Sequence, residues 1–332
     1  DSGGSSAVLR EAFGMLAVGD LRNRLMALAD ETALGNPANY ALFAHRLPKH
    51  GRELRAELAE MVDGEHSLMR PIRRPMRRII RTHLRVFLEH APTNFDLRGA
   101  SIGNLLLTAG YLHNDSDIDS VVYLFSQLVE ARGTVVPTVD ANLHLAADLV
   151  DGTRITGQHC FTGKEMEPPS QRIVRLSLVE GLSDTDPPAR VSIAGKTRRL
   201  IESADLVVFP YGSFWSSILA NLLPDGVGRA IAKVDCPKIY VPNTRTDPEQ
   251  RDMTLGDSVE ALLDTVRQDA GAHVPSERII TAVILDTNDD SYSMTLDIER
   301  VEALGVPVVR TPLVADGNVD PQSFVYLLVS LA

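Results

Sequence analysis

From Ser203 to Arg310 the chain repeats one unit: a short run of β-branched and aromatic residues, a turn of small residues, then a segment with helical periodicity. Asp205 to Pro210 has the pattern of a buried strand, followed by Tyr211-Gly212-Ser213 and a helix through Leu223. Lys238 to Val241, Arg278 to Leu285 and Val306 to Arg310 repeat the strand pattern, with helices predicted over Asp257 to Ala270 and Asp297 to Leu304. Strands separated by helices cannot pair as hairpins. They pair in parallel, with the helices covering the faces of the sheet. The fold class expected is therefore α/β, a Rossmann-like three-layer parallel sheet.

The preceding residues have a different texture. Ala7 to Leu16, Asp20 to Asp30, Ser101 to Leu112 and Ile118 to Arg132 read as helices, and Tyr40 to His90 as a charged helical stretch. Thr134 to Pro137, His144 to Val150, Thr153 to His159 and Ile173 to Leu178 read as strands. Asp151-Gly152 supplies a type I′ hairpin signal between the second and third of these. The expected organisation is one domain over 1–332, with a helical insertion at 40–95 and a small β-rich lobe at 134–195. The chain opens in a glycine-rich loop with no strand before it, which predicts that a first strand, helix and second strand precede this numbering.

Composition narrows the function. A formal net charge of −11 repels nucleic acid and anionic membrane, so neither is an expected partner. Any anionic ligand must be gripped by local features. Two cysteines, Cys160 and Cys236, give no disulfide framework and point to a cytoplasmic setting. No apolar run reaches membrane-spanning length.

In open parallel sheets, ligands bind where strand ends meet helix starts. Three small-residue loops fit such turns: Ser2-Gly3-Gly4-Ser5-Ser6, Gly99 to Asn104, and Tyr211-Gly212-Ser213. Glycine lets a phosphate approach the backbone, serine caps the helix, and the first-turn N–H groups can hold an anion. One helix terminus contributes about 0.3–1 kcal/mol, or about 2 when partly buried. Micromolar affinity needs about 8 kcal/mol, so several termini must converge. Asp1, heading the first loop, and Asp20, in Gly19 to Asn23, are candidate ligands for a magnesium ion; from its position alone Asp20 reads first as a helix N-cap.

These motifs together resemble a known superfamily. Asp1 to Arg10, Gly14, Gly19 to Asn23 and Ala27 to Asp30 resemble the opening signature of the gluconeogenesis factors (YvcK). Arg98 to Leu106 resembles their second signature. Ala204 to Ser213 through Asn221 to Leu223 resembles the third, and Lys238 to Asn243 through Asp257 the fourth. The superfamily also contains the 2-phospho-L-lactate transferases (CofD), and the sequence resembles a separate CofD-related subfamily more than either branch. Ser2 stands where the gluconeogenesis factors have a second aspartate, Tyr211 replaces a small residue or proline, and 46–94 is longer than in either branch. The resemblance implies a magnesium-dependent transferase that moves a phospho-lactyl-type group from a nucleoside diphosphate conjugate, GDP- or UDP-linked, to an alcohol acceptor such as a deazaflavin. The alternative it implies is a non-catalytic regulator that binds UDP-sugars. Homo-oligomers are expected in either case. By resemblance, Asp1 and Asp20 fall at metal-binding and catalytic positions, with Asp1 or a preceding carboxylate as general base. Gly3, Gly4, Ser5, Ser6, Asn23, Ser101, Asn104, Gly212, Ser213 and Asn243 surround the nucleotide and its phosphates.

One motif lies outside this scheme. Arg70, Arg73, Arg74, Arg77, Arg78, Arg81 and Arg85 recur at steps of three and four on one arc of an amphipathic helix that Pro75 starts or kinks. The stripe is either a solvated face paired with Glu53, Glu57, Glu60 or Asp63, an oligomer contact, a surface that captures an anionic partner, or a part of the substrate site. His159-Cys160 reads as structural, and the acids around Asp115, Asp117 and Asp119 as helix caps.

Overall fold

The computed structural model describes residues 3–32, 35–50 and 53–332. The chain divides into two compact units, Asp1–Asn142 and Leu143–Ala332.

The regular structure described in the first unit is helical: α1 (Gly4–Phe13), α2 (Gly19–Leu28), α3 (Pro37–Ala44), α4 (Leu54–Asp63), α5 (Met76–His90), α6 (Ile102–His113) and α7 (Ile118–Leu128). Helix α6 is its axis, buried continuously from Ile102 to Gly110. Its sequence explains this: Leu105, Leu106 and Leu107 are fully buried, and each contributes about 1.5–3 kcal/mol of apolar burial. Glycine admits the neighbours. A Cβ at Gly103 would lie 2.8 Å from the Phe43 carbonyl oxygen, and one at Gly110 would lie 2.8 Å from Val121. Helix α5 turns Ile80, His83, Leu84, Val86 and Phe87 inward. At α7 the Asp117 side chain accepts from the amides of Asp119 and Ser120, which is the capping role expected there.

The second unit carries the α/β architecture. Strands β4 (Val207–Phe209), β5 (Lys238–Tyr240), β6 (Ala282–Leu285) and β7 (Val308–Arg310) form a parallel sheet in that order. β5 and β6 are buried at every residue, as strands covered on both faces must be. Helices α8 (Gly195–Glu202), α9 (Val227–Lys233), α10 (Leu255–Ala270), α11 (Ile298–Ala303) and α12 (Pro321–Leu331) alternate with them. Before these lies an antiparallel sheet ordered β2-β1-β3, from β1 (His144–Leu149), β2 (Arg154–Thr156) and β3 (Ile173–Val179). Strands β8 (Val314–Ala315) and β9 (Asn318–Val319) pair as a small ribbon. The expected α/β class with a parallel sheet is what the structure shows.

Several local expectations are corrected. Residues 134–137 form no strand; Pro137 cannot donate to a ladder, and among the described residues no strand pairs with them. The β1–β2 hairpin forms, but its turn is not type I′, because only Gly152 has positive φ, at 86°. Asp151 keeps negative φ and accepts the Thr153 amide at 2.9 Å. Gly157 (φ 100°) stops β2 and leads into a 3-10 turn at Gln158–Cys160. The segment after Ser213 is a π-turn, Phe214–Ile218, running into a 3-10 turn, Leu219–Leu222, not an α-helix. No described helix is long and apolar enough to cross a membrane.

Candidate functional site

The predicted phosphate-binding residues fall into two clusters, one in each unit. In the first unit, α1 begins three residues earlier than its periodicity suggests, at Gly4 with Gly3 as cap. Gly4, Ser5 and Ser6 therefore form the first helical turn. Their amides have no intrahelical acceptor, because the first intrahelical bond runs from Ala7 N to Gly3 O at 3.1 Å. Helix α6 starts at Ser101, whose hydroxyl accepts the Asn104 amide at 3.5 Å. The two helix beginnings meet: Asn104 Nδ2 donates to Ser5 Oγ at 3.0 Å, across 99 residues of sequence.

This junction holds polar atoms without partners. Asn104 and Ser6 are each only 2% exposed, yet Asn104 Oδ1 and Ser6 Oγ accept or donate no hydrogen bond. Arg22 of α2 lies against the same stretch. Its Cδ would sit 2.7 Å from a Cβ at Gly103, and its buried Nε has no partner. One Arg22 Nη2 proton goes to Asn23 Oδ1 at 2.7 Å. Burial and then the neighbouring charge of Arg46 hold the Arg22 guanidinium below its ordinary pKa, with Tyr40 acting weakly the other way. A cation made less comfortable by burial and by a like charge gains from an incoming anion. Arg22 was not among the residues predicted from sequence; the only sequence clue was a glycine at 103 leaving room for it.

Asp20 is the second residue of α2, with an exposed side chain in the first turn, and the N-cap is Val18. The N-cap reading of Asp20 is thus corrected, while its charge still favours the helix start. Asp1 and Ser2 lie outside the described residues. Among the described residues no group of three or more His, Cys, Asp or Glu side chains could hold a metal ion. Magnesium does not require one: it takes one or two carboxylates and completes its shell with phosphate oxygens and water, and Asp20 is the described member of the expected pair.

The second cluster sits at the carboxyl ends of β4 and β5. Asn243 ties the two loops: its Oδ1 accepts the Gly212 amide at 2.7 Å and its Nδ2 donates to the Gly212 carbonyl at 2.7 Å. Two acids then cap the helical segment after Ser213. Asp247 accepts the Phe214 amide at 2.8 Å, and Glu249 accepts the Ser216 amide at 2.8 Å and the Ser216 hydroxyl at 2.5 Å. Burial pushes both carboxyls above their ordinary pKa values, and the charge of Asp247 adds to this at Glu249. The amides of Gly212, Phe214 and Ser216 are therefore already satisfied, all three by this chain's own side chains. Asn243 acts as a clasp between strand ends, and neither Asp247 nor Glu249 was legible as a partner of a loop more than thirty residues away. Asp257, from the fourth motif, closes a capping box with Thr254 and pairs with Arg172 at 3.0 Å and Arg300 at 2.9 Å, which is a structural use.

The residues 1–314 match the family model described as 2-phospho-L-lactate transferase CofD. A protein from Nostoc sp. in the gluconeogenesis-factor group is 30% identical over 314 residues, covering 93% of this chain and 55% of its own length. This chain thus spans only about half of that relative. The gluconeogenesis factor of Bacillus subtilis is 28% identical over 326 residues, covering 96% of this chain and 82% of its own. A solved structure of a UPF0052 family protein from Bacillus halodurans superposes with a TM-score of 0.68 at 23% identity, over 99% of this chain and 88% of that one, a likeness of fold.

Proposed function

The chain belongs to the CofD family, and from that premise we propose that it binds a nucleoside diphosphate conjugate and transfers a phospho-lactyl-type group from it to an alcohol acceptor. The observation that carries this reading is the junction of α1 and α6. Two helix beginnings meet through Ser5 and Asn104, and Arg22 lies against α6 with an unpaired guanidinium nitrogen. Each part favours negative charge, and together they approach the strength that a single terminus lacks.

In this reading the first-turn amides of α1, Arg22 and Asn104 hold the phosphates and stabilise the charge that grows on the leaving nucleoside monophosphate as the bond between the two phosphates breaks. Gly3 and Gly4 let the phosphates approach the backbone. Ser6 and Asn104 offer buried hydrogen-bonding atoms to a ligand. Ser101 positions Asn104, and Asn23 steers Arg22. The acceptor hydroxyl attacks in line, losing its proton to a carboxylate for which Asp1 is the sequence candidate. Magnesium, held by Asp1 and Asp20, would neutralise phosphate charge. In the second unit Gly212, Ser213 and Asn243 form a loop of their own, in which Gly212 and the Asn243 side chain are committed to each other.

The similarity to gluconeogenesis factors over nearly the whole chain supports a second reading, in which the same site binds a UDP-sugar without reaction. Thermal-shift screening with GDP, UDP, UDP-sugars and magnesium, followed by transfer assays with a lactyl-bearing nucleoside diphosphate conjugate as donor and a deazaflavin alcohol as acceptor, separates the two. A shift with GDP together with product formation supports transfer. A shift with UDP-sugars alone supports the regulator. No shift with any of them removes both.

A further inference from the structure

The arginine stripe is not absorbed by the proposed site. Between Glu65 and Glu89 there are seven arginines and no acid, in a chain of net charge −11. Arg73, Arg74, Arg78 and Arg85 are exposed, and among the described residues none of them, nor Arg77, forms an ion pair. Arg81 donates to the Val62 carbonyl at 2.5 Å, and Arg70 pairs loosely with Glu65 at 3.9 Å.

The neighbouring helix has the opposite charge. α4 packs antiparallel to α5: Arg55, near its start, reaches the Ala91 and Pro92 carbonyls beyond the end of α5, while Val62, near its end, meets Arg81. Glu53, Glu60 and Asp63 are exposed along α4, and among the described residues they form no ion pair either. Glu57 is engaged by His45 and His66 instead. The expected pairing of the arginines with Glu53, Glu57, Glu60 or Asp63 within one chain is thus not made. An acidic stripe and a basic stripe lie side by side, each at least 10 Å long at about 1.5 Å per helical residue.

Such a surface is complementary to itself. A two-fold axis beside it sets α4 of one copy against α5 of the other, twice over, which is the defining property of an isologous interface. We infer that α4 and α5 form a homodimer interface in which Glu53, Glu60 and Asp63 of one copy meet Arg74, Arg78 and Arg85 of the other. Arginine suits this role, because its planar fork takes carboxylates in pairs. The outward face of α5 offers no aromatic or large apolar side chain for stacking on bases or entering a lipid surface, so those occupants fit less well.

The test is sedimentation equilibrium of the full chain at low and high salt, with two charge-reversed variants, R78E/R85E and E60R/D63R. All four positions are exposed, and circular dichroism checks that each variant is folded. The wild type should dimerise, with a dissociation constant that rises with salt. Each variant alone should dimerise at least ~10-fold more weakly, since acid then faces acid or base faces base at both symmetric contacts. An equimolar mixture of the two variants should restore the dimer, because each contact again joins opposite charges. A wild type that stays monomeric at low salt overturns the inference, as does a mixture of the two variants that remains monomeric.

Discussion

Asn104 Nδ2 donates to Ser5 Oγ at 3.0 Å, and this one bond joins the beginnings of α1 and α6. The remaining amide oxygen of Asn104 is buried without a partner. Replacing Asn104 by Asp separates two roles. At the third position of α6 an aspartate suits the helix terminus, so the chain should still fold, with Tm lowered by burial of the new charge. The same carboxylate places a fixed negative charge where the phosphates are proposed to sit. GDP or UDP should bind at least ~10-fold more weakly, which is a difference of about 1.4 kcal/mol. Calorimetric titration that shows unchanged affinity would remove the junction from the binding site.

Gly103 is required by close approach, not by its backbone angle. A methyl group there would lie 2.7 Å from Arg22 Cδ and 2.8 Å from the Phe43 carbonyl oxygen. The arginine can give way but the backbone cannot do so cheaply. Gly103→Ala should cost about 1–3 kcal/mol of stability, the usual penalty of overpacking, measured from the midpoint of urea unfolding. Because Arg22 must move, nucleotide affinity should fall as well, whereas a purely structural effect would leave it alone in the folded fraction.

How far the sequence could take these conclusions depended on the range of the interactions involved. Helix α6 was legible because Ser101 caps it and its apolar run is continuous, and both signals are local. β4, β5 and β6 were legible because buried parallel strands have a distinctive composition. What was missed depends on distant partners. Nothing around Thr134 to Pro137 says that no strand will pair with it. Nothing near Ser213 says that Asp247 and Glu249 will take the first amides of the following turn, or that this turn will be π-helical and not α-helical. The Asp151-Gly152 signal gave the hairpin but not its turn type, because Asp151 is satisfied in an ordinary conformation by bonding the Thr153 amide. At the phosphate junction the glycine and serine positions were visible, but Arg22 was hidden, since its value comes from burial beside Gly103.

Asp20 should matter for ligand binding and little for folding. Its side chain is exposed in the first turn of α2, and Val18 holds the cap position. Asp20→Asn keeps the shape and removes the charge. Magnesium-dependent binding of a nucleoside diphosphate should fall by roughly 100-fold, the scale of losing one key electrostatic group, while Tm without ligand moves little. Titration with and without magnesium decides it: equal metal dependence in mutant and wild type would free Asp20 of this role.

Glu249 gives the protein a pH-dependent stability whose sign is opposite to that of most carboxylates. Burial raises its pKa in the folded chain, with the Asp247 charge adding to the effect and the Ser216 hydrogen bonds opposing it. In the unfolded chain glutamate titrates near about 4.3. Between those two values the folded state holds a proton that the unfolded state has released, so stability falls as pH rises. The contribution is complete below the unfolded pKa and is lost as pH climbs through the raised folded value. Glu249→Gln cannot ionise and keeps an oxygen to accept the Ser216 amide. Its unfolding free energy should therefore decline less steeply than that of the wild type from about pH 4 upward, with the residual slope coming from Asp247, whose carboxyl is raised by burial in the same way. Urea unfolding at a series of pH values gives both curves. If they run parallel, Glu249 is ionised in the folded protein across the whole range, and its bonds to Ser216 outweigh its burial.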